Sequence, residues 1–302
     1  MFNEDEYEGA TTLTPEQKIR HYQDVLTPKS DDKDFLLSLP DPRPFGEFIA
    51  QMKGYLQEFP LALVGEVGLD KSFRIPEDWL PQHLEERNQG LTPGGREGRR
   101  LSPYRVSMEH QRKVLIAQLR LAGEMQRATS VHGVQAHGVV HNTLAETWKG
   151  HERKPMSKKE KKKADAIKKA NAEPEDAEPE IEQAPGPTPY APRVCLHSYS
   201  GPADTVKLYT ASTVPCEVYF SFSTTINTWV EDGKEGKVEA AVKAVPDNRV
   251  LVESDLHTAG DRMDQYLQEI VRKICTVKGW DLEAGTRQLA ANCRHFISGP
   301  GE

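Results

Sequence analysis

The chain has 302 residues, a net charge of −7, and 37% hydrophobic and 28% charged residues. That length holds one large α/β domain or two smaller ones, and the acidic balance excludes a protein that coats nucleic acid with its whole surface, so any such contact must come from a local patch. The polar excess points to an unfolded stretch within an otherwise globular chain.

Residues 1–10, MFNEDEYEGA, are acidic and lack the apolar core of a signal peptide. Residues 45–59 place Phe45, Phe48, Ile49, Met52, Tyr55, Leu56 and Phe59 at helical spacing. A strand-length apolar run, 61–66, follows and ends on Glu66 between two glycines. Residues 82–105, rich in Gly, Pro and Arg, read as an inserted loop. Residues 108–126 read as a helix with Leu115, Leu119, Ala122 and Met125 on one side, and 128–132 as a strand ending on His132.

Residues 150–192 break the alternation, with a lysine block, then an acidic and proline-rich block, and hardly a large apolar side chain. Such a segment buries too little surface to offset its ordering entropy, so it is expected to be a disordered insertion. Strands are then expected at 193–197, 216–223 and 249–255, and helices at 236–245, 261–277 and 282–296. Alternating strands and helices imply parallel strands joined by right-handed crossovers. Cys195, Cys216, Cys275 and Cys293 form no CxxC pair and read as reduced, packed thiols. With no apolar run near the roughly 20 residues of a membrane span, the expected place is a reducing compartment, cytoplasm or nucleus, without membrane contact.

Four of the five expected strands end on a Glu, His or Asp: Glu66, His132, His197 and Asp255. Each has a bland alternative, a hydrogen-bonded core histidine or a carboxylate in a turn. In a parallel barrel, however, all strand C-termini reach one face. Two imidazoles and two carboxylates meeting there make a site for Zn²⁺, Mn²⁺ or Mg²⁺.

These residues carry a family resemblance. GEVGLD at 65–70 resembles the GEIGLD motif of the TatD family of metal-dependent hydrolases, SVH at 130–132 its VIH, and CLHSYSG at 195–201 its HCFSG. VYFSFS at 218–223, LVESD at 251–255 and NCRHF at 292–296 resemble its YISISG, LLETD and Asn-x-x-x-Phe segments, in the same order. The insertions look most like a fungal branch. The resemblance implies a single domain over 1–302 with a TIM-barrel-like fold of the amidohydrolase type. It implies hydrolysis of phosphodiester or related ester bonds, with DNA as substrate and two divalent ions in the family. Glu66 then matches the carboxylate bridging both ions, His132 and His197 the imidazoles of one, and Asp255 the catalytic aspartate of the other, beside the attacking water. Glu253, on the same side of its strand as Asp255, reads either as a carboxylate supporting a ligand or as a structural hydrogen-bond acceptor.

The pattern also departs from the family. The sequence holds no His-x-His, the motif of the family's first strand, and no counterpart of its second strand. The expectation is a barrel incomplete at the N-terminus with open edges, and one ion held by Glu66, His132 and His197 where the family has two. A weak or inactive enzyme follows. Val134 and Gln135 stand where the family often has Arg and Asp. His137 and His141, four apart, read as surface residues or a second ligand pair. Arg87, Arg96, Arg99, Arg100 and Arg105 read as phosphate contacts or a solvated loop, and the lysines of 158–169 as a localisation patch or a linker. The competing reading is a non-catalytic scaffold that keeps the barrel and binds protein partners through 150–192.

Overall fold

The fold comes from a computed structural model. It describes residues 13–78, 99–154, 186–227, 236–256 and 259–299, with the backbone of Phe2–Asn3. Most of both insertions, including Arg87, Arg96 and the lysine block, lies outside the described residues.

Five parallel strands form the frame: β4 (Val64–Asp70), β6 (Thr129–Val134), β7 (Arg193–Leu196), β8 (Glu217–Phe222) and β9 (Val250–Val252). Their order is β4-β6-β7-β8-β9, each beside its neighbour in sequence. A doubly wound sheet reverses direction part-way. An unreversed order is the arrangement of barrel staves, and the fold is of the TIM-barrel type. Among the described residues the sheet has β4 and β9 as its edges. Helices supply the crossovers: α4 (Met108–Glu124), α5 (His137–Trp148), α6 (Ala203–Tyr209) and α7 (Lys237–Ala244). Two long helices, α8 (Asp261–Lys278) and α9 (Leu282–Ser298), close the described chain, and α3 (Phe45–Glu58) precedes β4. None of these helices is long and apolar enough to cross a membrane.

Alternation along the strands divides the core in two. Val67, Leu69, Val131, Val194, Leu196, Val218, Phe220, Phe222 and Val250 join the cluster beneath the helices. Ala128, Cys195, Tyr219 and Leu251 face the other way, where Phe296 of α9 closes the lower end of the arc. Asn292, one turn before Phe296, donates to the carbonyls of Asp247 and Val250, both at 2.8 Å, and so ties α9 to the start of β9. The NCRHF motif is therefore structural. Cys195 and Cys216 are buried, which pushes both thiols up to about 12, as expected of packed, inert cysteines.

The N-terminal region received no elements from sequence, yet it folds into a small unit with its own core. Helices α1 (Pro15–Val25) and α2 (Lys33–Ser38) pack Tyr22, Val25, Leu26, Leu36 and Leu39 around Ile75. Thr14 and Gln17 form a capping box at the start of α1. The pair β2 (Leu26–Thr27) and β5 (Arg105–Val106) closes the unit, and β1 (Phe2–Asn3) pairs with β3 (Arg43–Pro44). Arg105, expected within the inserted loop, is thus part of a strand pair.

Candidate metal centre

The frame delivers the four sequence-derived residues to one place, by a different local route from the expected one. Strand β4 does not stop at Glu66 but continues to Asp70. Its register with β6 advances three residues, Val64 to Val67, against two, Thr129 to Val131. That extra residue is a β-bulge at Gly65–Glu66, and bulges re-aim side chains beside active sites. Glu66 is turned to the open face while Val67 and Leu69 remain buried.

The two glycines of the motif make room for β6. A Cβ on Gly65 would lie 3.0 Å from Ser130 Cβ, and one on Gly68 2.2 Å from the His132 carbonyl and 2.6 Å from His132 Cδ2. Gly68 also has a φ of +155°. The GEVG sequence thus seats His132 against β4, which a turn reading of the motif missed. His132 lies within β6 rather than at its end, His197 immediately follows β7, and Asp255 lies three residues beyond β9. Of the four non-glycine residues with positive φ among the described residues, Gln135, Ser198 and Asp255 follow β6, β7 and β9. Such backbone strain concentrates at functional sites.

The donor atoms form a chain of short contacts. Glu66 Oε1 lies 2.9 Å from His132 Nδ1 and 3.5 Å from His197 Nε2, and that nitrogen lies 2.9 Å from Asp255 Oδ1. Glu253 Oε2 meets the other nitrogen, His197 Nδ1, at 2.8 Å. The hydrogen bond from His132, aided by the positive charge of both histidines, outweighs burial and holds Glu66 below the usual carboxylate range. Burial disfavours a charged His197, but hydrogen bonds and negative charge from Glu253, Glu66 and Asp255 prevail and raise it to about 9. Carboxylates on both sides of this ring favour its charged form.

Chemically the set fits a divalent ion: two imidazole nitrogens and two carboxylates from four separate strand regions. A tetrahedral ion with bonds of about 2.0–2.1 Å holds its ligands about 3.3 Å apart; Glu66–His132 and His197–Asp255, each at 2.9 Å, are closer than that, and Glu66–His197 stands at 3.5 Å. Among the described residues, no group of three or more His, Cys, Asp or Glu side chains stands ready-made around one ion position. The donors are drawn onto one another as hydrogen bonds, and side-chain rotation would have to part them. Asp255 touches the same His197 nitrogen as Glu66.

Three serines not singled out from the sequence, Ser198, Ser221 and Ser223, surround Glu253 and the segment after His197. The Ser198 amide donates to Glu253 Oε1 at 2.7 Å, and its hydroxyl donates to the same oxygen. Ser198 also contacts Ser221 Oγ at 3.2 Å and Ser223 Oγ at 3.0 Å. The alternating SFS of β8 and the serine after His197 were the available signals. His137 opens α5, with its ring centroid 5.8 Å from that of Tyr199 and its Nε2 3.4 Å from Ser200 Oγ. It walls a small cavity shared with His197, Tyr199 and Tyr209. His141 packs its ring edge-on to Tyr209 at 5.0 Å.

Comparison with known proteins places the chain in a family. The family model for TatD related DNase matches residues 42–298. The fission yeast Cut9-interacting protein scn1 (Schizosaccharomyces pombe) is 35% identical over 281 residues, covering 93% of this chain and 75% of its own. An uncharacterized deoxyribonuclease of Saccharomyces cerevisiae, YMR262W, is 26% identical over 241 residues, covering 79% of this chain and 59% of its own. Among solved structures, the TatD homolog YJJV of Escherichia coli superimposes with a TM-score of 0.48 at 15% identity, covering 84% of this chain and 71% of that one. The match of the family model over most of the chain and the fission yeast relative together show that this protein belongs to the TatD DNase family of hydrolases.

Proposed function

We propose that this chain is a divalent-metal-dependent phosphodiesterase acting on DNA, with Glu66, His132, His197 and Asp255 holding the ion. The observation that carries the reading is the convergence of these four donors, from four separate strand regions, through contacts of 2.9–3.5 Å. A bound ion would acidify a water and stabilise charge on the phosphoryl oxygens. Asp255, at the end of the donor chain, would accept the proton of the attacking water at its carboxylate. Val134, the last residue of β6, and Gln135 after it are both exposed, so substrate contacts made there are apolar or neutral where much of the family uses charge. The protein would work inside the cell, in the cytoplasm or nucleus. The test is cleavage of single- and double-stranded DNA with and without Zn²⁺, Mn²⁺ or Mg²⁺, using Glu66→Gln and Asp255→Asn as controls. Metal-stimulated cleavage lost in both variants supports the reading, and cleavage retained in both overturns it.

A second reading is favoured by one observation: a 35%-identical relative is described as an interacting protein. In that reading the barrel is a scaffold and a protein partner binds through 150–192. A folded chain that shows no metal-stimulated cleavage, and that loses a partner on deletion of 155–185, would establish it.

A further inference from the structure

We infer that Glu253 is the positioning residue of the centre: it selects which nitrogen of His197 faces the ion, and Ser198 holds it in that posture. The inference rests on the metal-centre reading above and adds a residue that touches neither ion nor substrate. Glu253 Oε2 lies 2.8 Å from His197 Nδ1. A carboxylate only accepts, so Nδ1 must donate. By the same rule Nε2 donates to Asp255 Oδ1, 2.9 Å away and beside Glu66 Oε1 at 3.5 Å, so the ring carries a proton on each nitrogen; an ion entering on the Asp255 side would replace the Nε2 proton, while Glu253 keeps the other on Nδ1. An imidazole backed by a carboxylate is also the more basic ligand.

The second carboxylate oxygen is equally engaged. The amide of Ser198, 2.7 Å away, and the Ser198 hydroxyl both donate to Oε1. One residue delivers both donors because its backbone sits at a φ of 40°, a left-handed conformation that costs a serine free energy. Ser221 and Ser223 of the neighbouring strand region hold Ser198 in turn, at 3.2 and 3.0 Å. A purely structural role accounts poorly for this arrangement. The Glu253 side chain is only 19% exposed, and among the described residues it pairs with His197 and with no lysine or arginine. Burying a carboxylate against a lone imidazole is a poor source of stability, whereas orienting a ligand requires it.

The test is calorimetric titration of the full chain with Zn²⁺, comparing wild type with Glu253→Gln, Glu253→Ala and Ser198→Ala, alongside urea denaturation of each. Nitrogen-15 resonances of the histidine rings in the zinc-loaded protein report the tautomer. The expected result is a roughly 10–100-fold loss of zinc affinity in Glu253→Ala. Glu253→Gln, whose amide oxygen still accepts, and Ser198→Ala should lose less, and wild-type His197 should carry its proton on Nδ1. An unchanged zinc affinity in Glu253→Ala, with wild type binding, overturns the positioning role and leaves the metal centre standing. An affinity loss equal in the Gln and Ala variants and matched by unfolding overturns it as well. A wild-type chain that binds no zinc overturns the metal centre and this inference together.

Discussion

Replacing Gly68 with alanine tests the local architecture of the site more sharply than a change to any ligand. The added methyl would sit 2.2 Å from the His132 carbonyl oxygen, 2.9 Å from its carbonyl carbon and 2.6 Å from its ring Cδ2. Two of these neighbours are backbone in a paired strand and cannot swing aside. Overpacking of this kind costs about 1–3 kcal/mol, and a backbone conformation suited to glycine adds about 1–3 kcal/mol. The variant should lose about 2–6 kcal/mol of a stability that is about 5–15 kcal/mol for a domain. Gly138 is the control: it lies on α5, and a methyl group there would meet nothing within 4 Å, so alanine should stabilise by up to about 1 kcal/mol. Urea denaturation measures both, and zinc titration should show weaker binding in Gly68→Ala because His132 is displaced. A Gly68→Ala chain within about 0.5 kcal/mol of wild type, with its zinc affinity unchanged, would refute the claim that this glycine exists to seat His132.

The lower end of the arc carries a pH-dependent contribution. Glu217 meets Arg249 at 2.6 Å and His295 at 2.9 Å. Burial raises its pKa, but these partners outweigh burial and leave it below the ordinary carboxylate value. A depressed carboxylate stabilises the fold above its unfolded pKa and stops doing so as pH falls through the folded one. Glu217→Gln should therefore cost about 1–3 kcal/mol at neutral pH, with the deficit shrinking below about pH 4. A deficit that grows in acid, measured by urea denaturation across pH, contradicts the sign. In the N-terminal unit, the fully buried Tyr22 donates to the Pro40 carbonyl. Tyr22→Phe should cost about 1–3 kcal/mol and speed hydrogen exchange in α1 and α2, and unchanged exchange there would argue against a separate core.

The elements between residues 45 and 296 were legible where period and composition agree. The expected helices at 45–59, 108–126, 236–245, 261–277 and 282–296 match the observed ones to within about two residues, the usual scatter of helix ends. Helix α5 was missed because HGVVHNTLAETW mixes polar and apolar residues around its circumference, with Thr143 and Thr147 on the buried side, and carries little amphipathic signal. The strand ends were displaced for a physical reason. Gly65 and Gly68 look like turn residues, yet they serve close strand packing, so β4 continues past Glu66 to Asp70. The bulge that aims Glu66 depends on pairing with β6, which is distant in sequence, and has no local signature. The N-terminal unit was invisible because its core borrows Ile75 and Tyr104 from beyond β4. The four ligand candidates were nevertheless identifiable, since a carboxylate or imidazole closing an apolar run is costly without a partner.

The ion count of the zinc-equilibrated chain, read by native mass spectrometry, tests the central claim most directly. The four converging donors predict one tightly held ion per chain, absent from Glu66→Gln and from His197→Ala. Two tightly held ions in the wild type, or one ion that survives both substitutions, would contradict it.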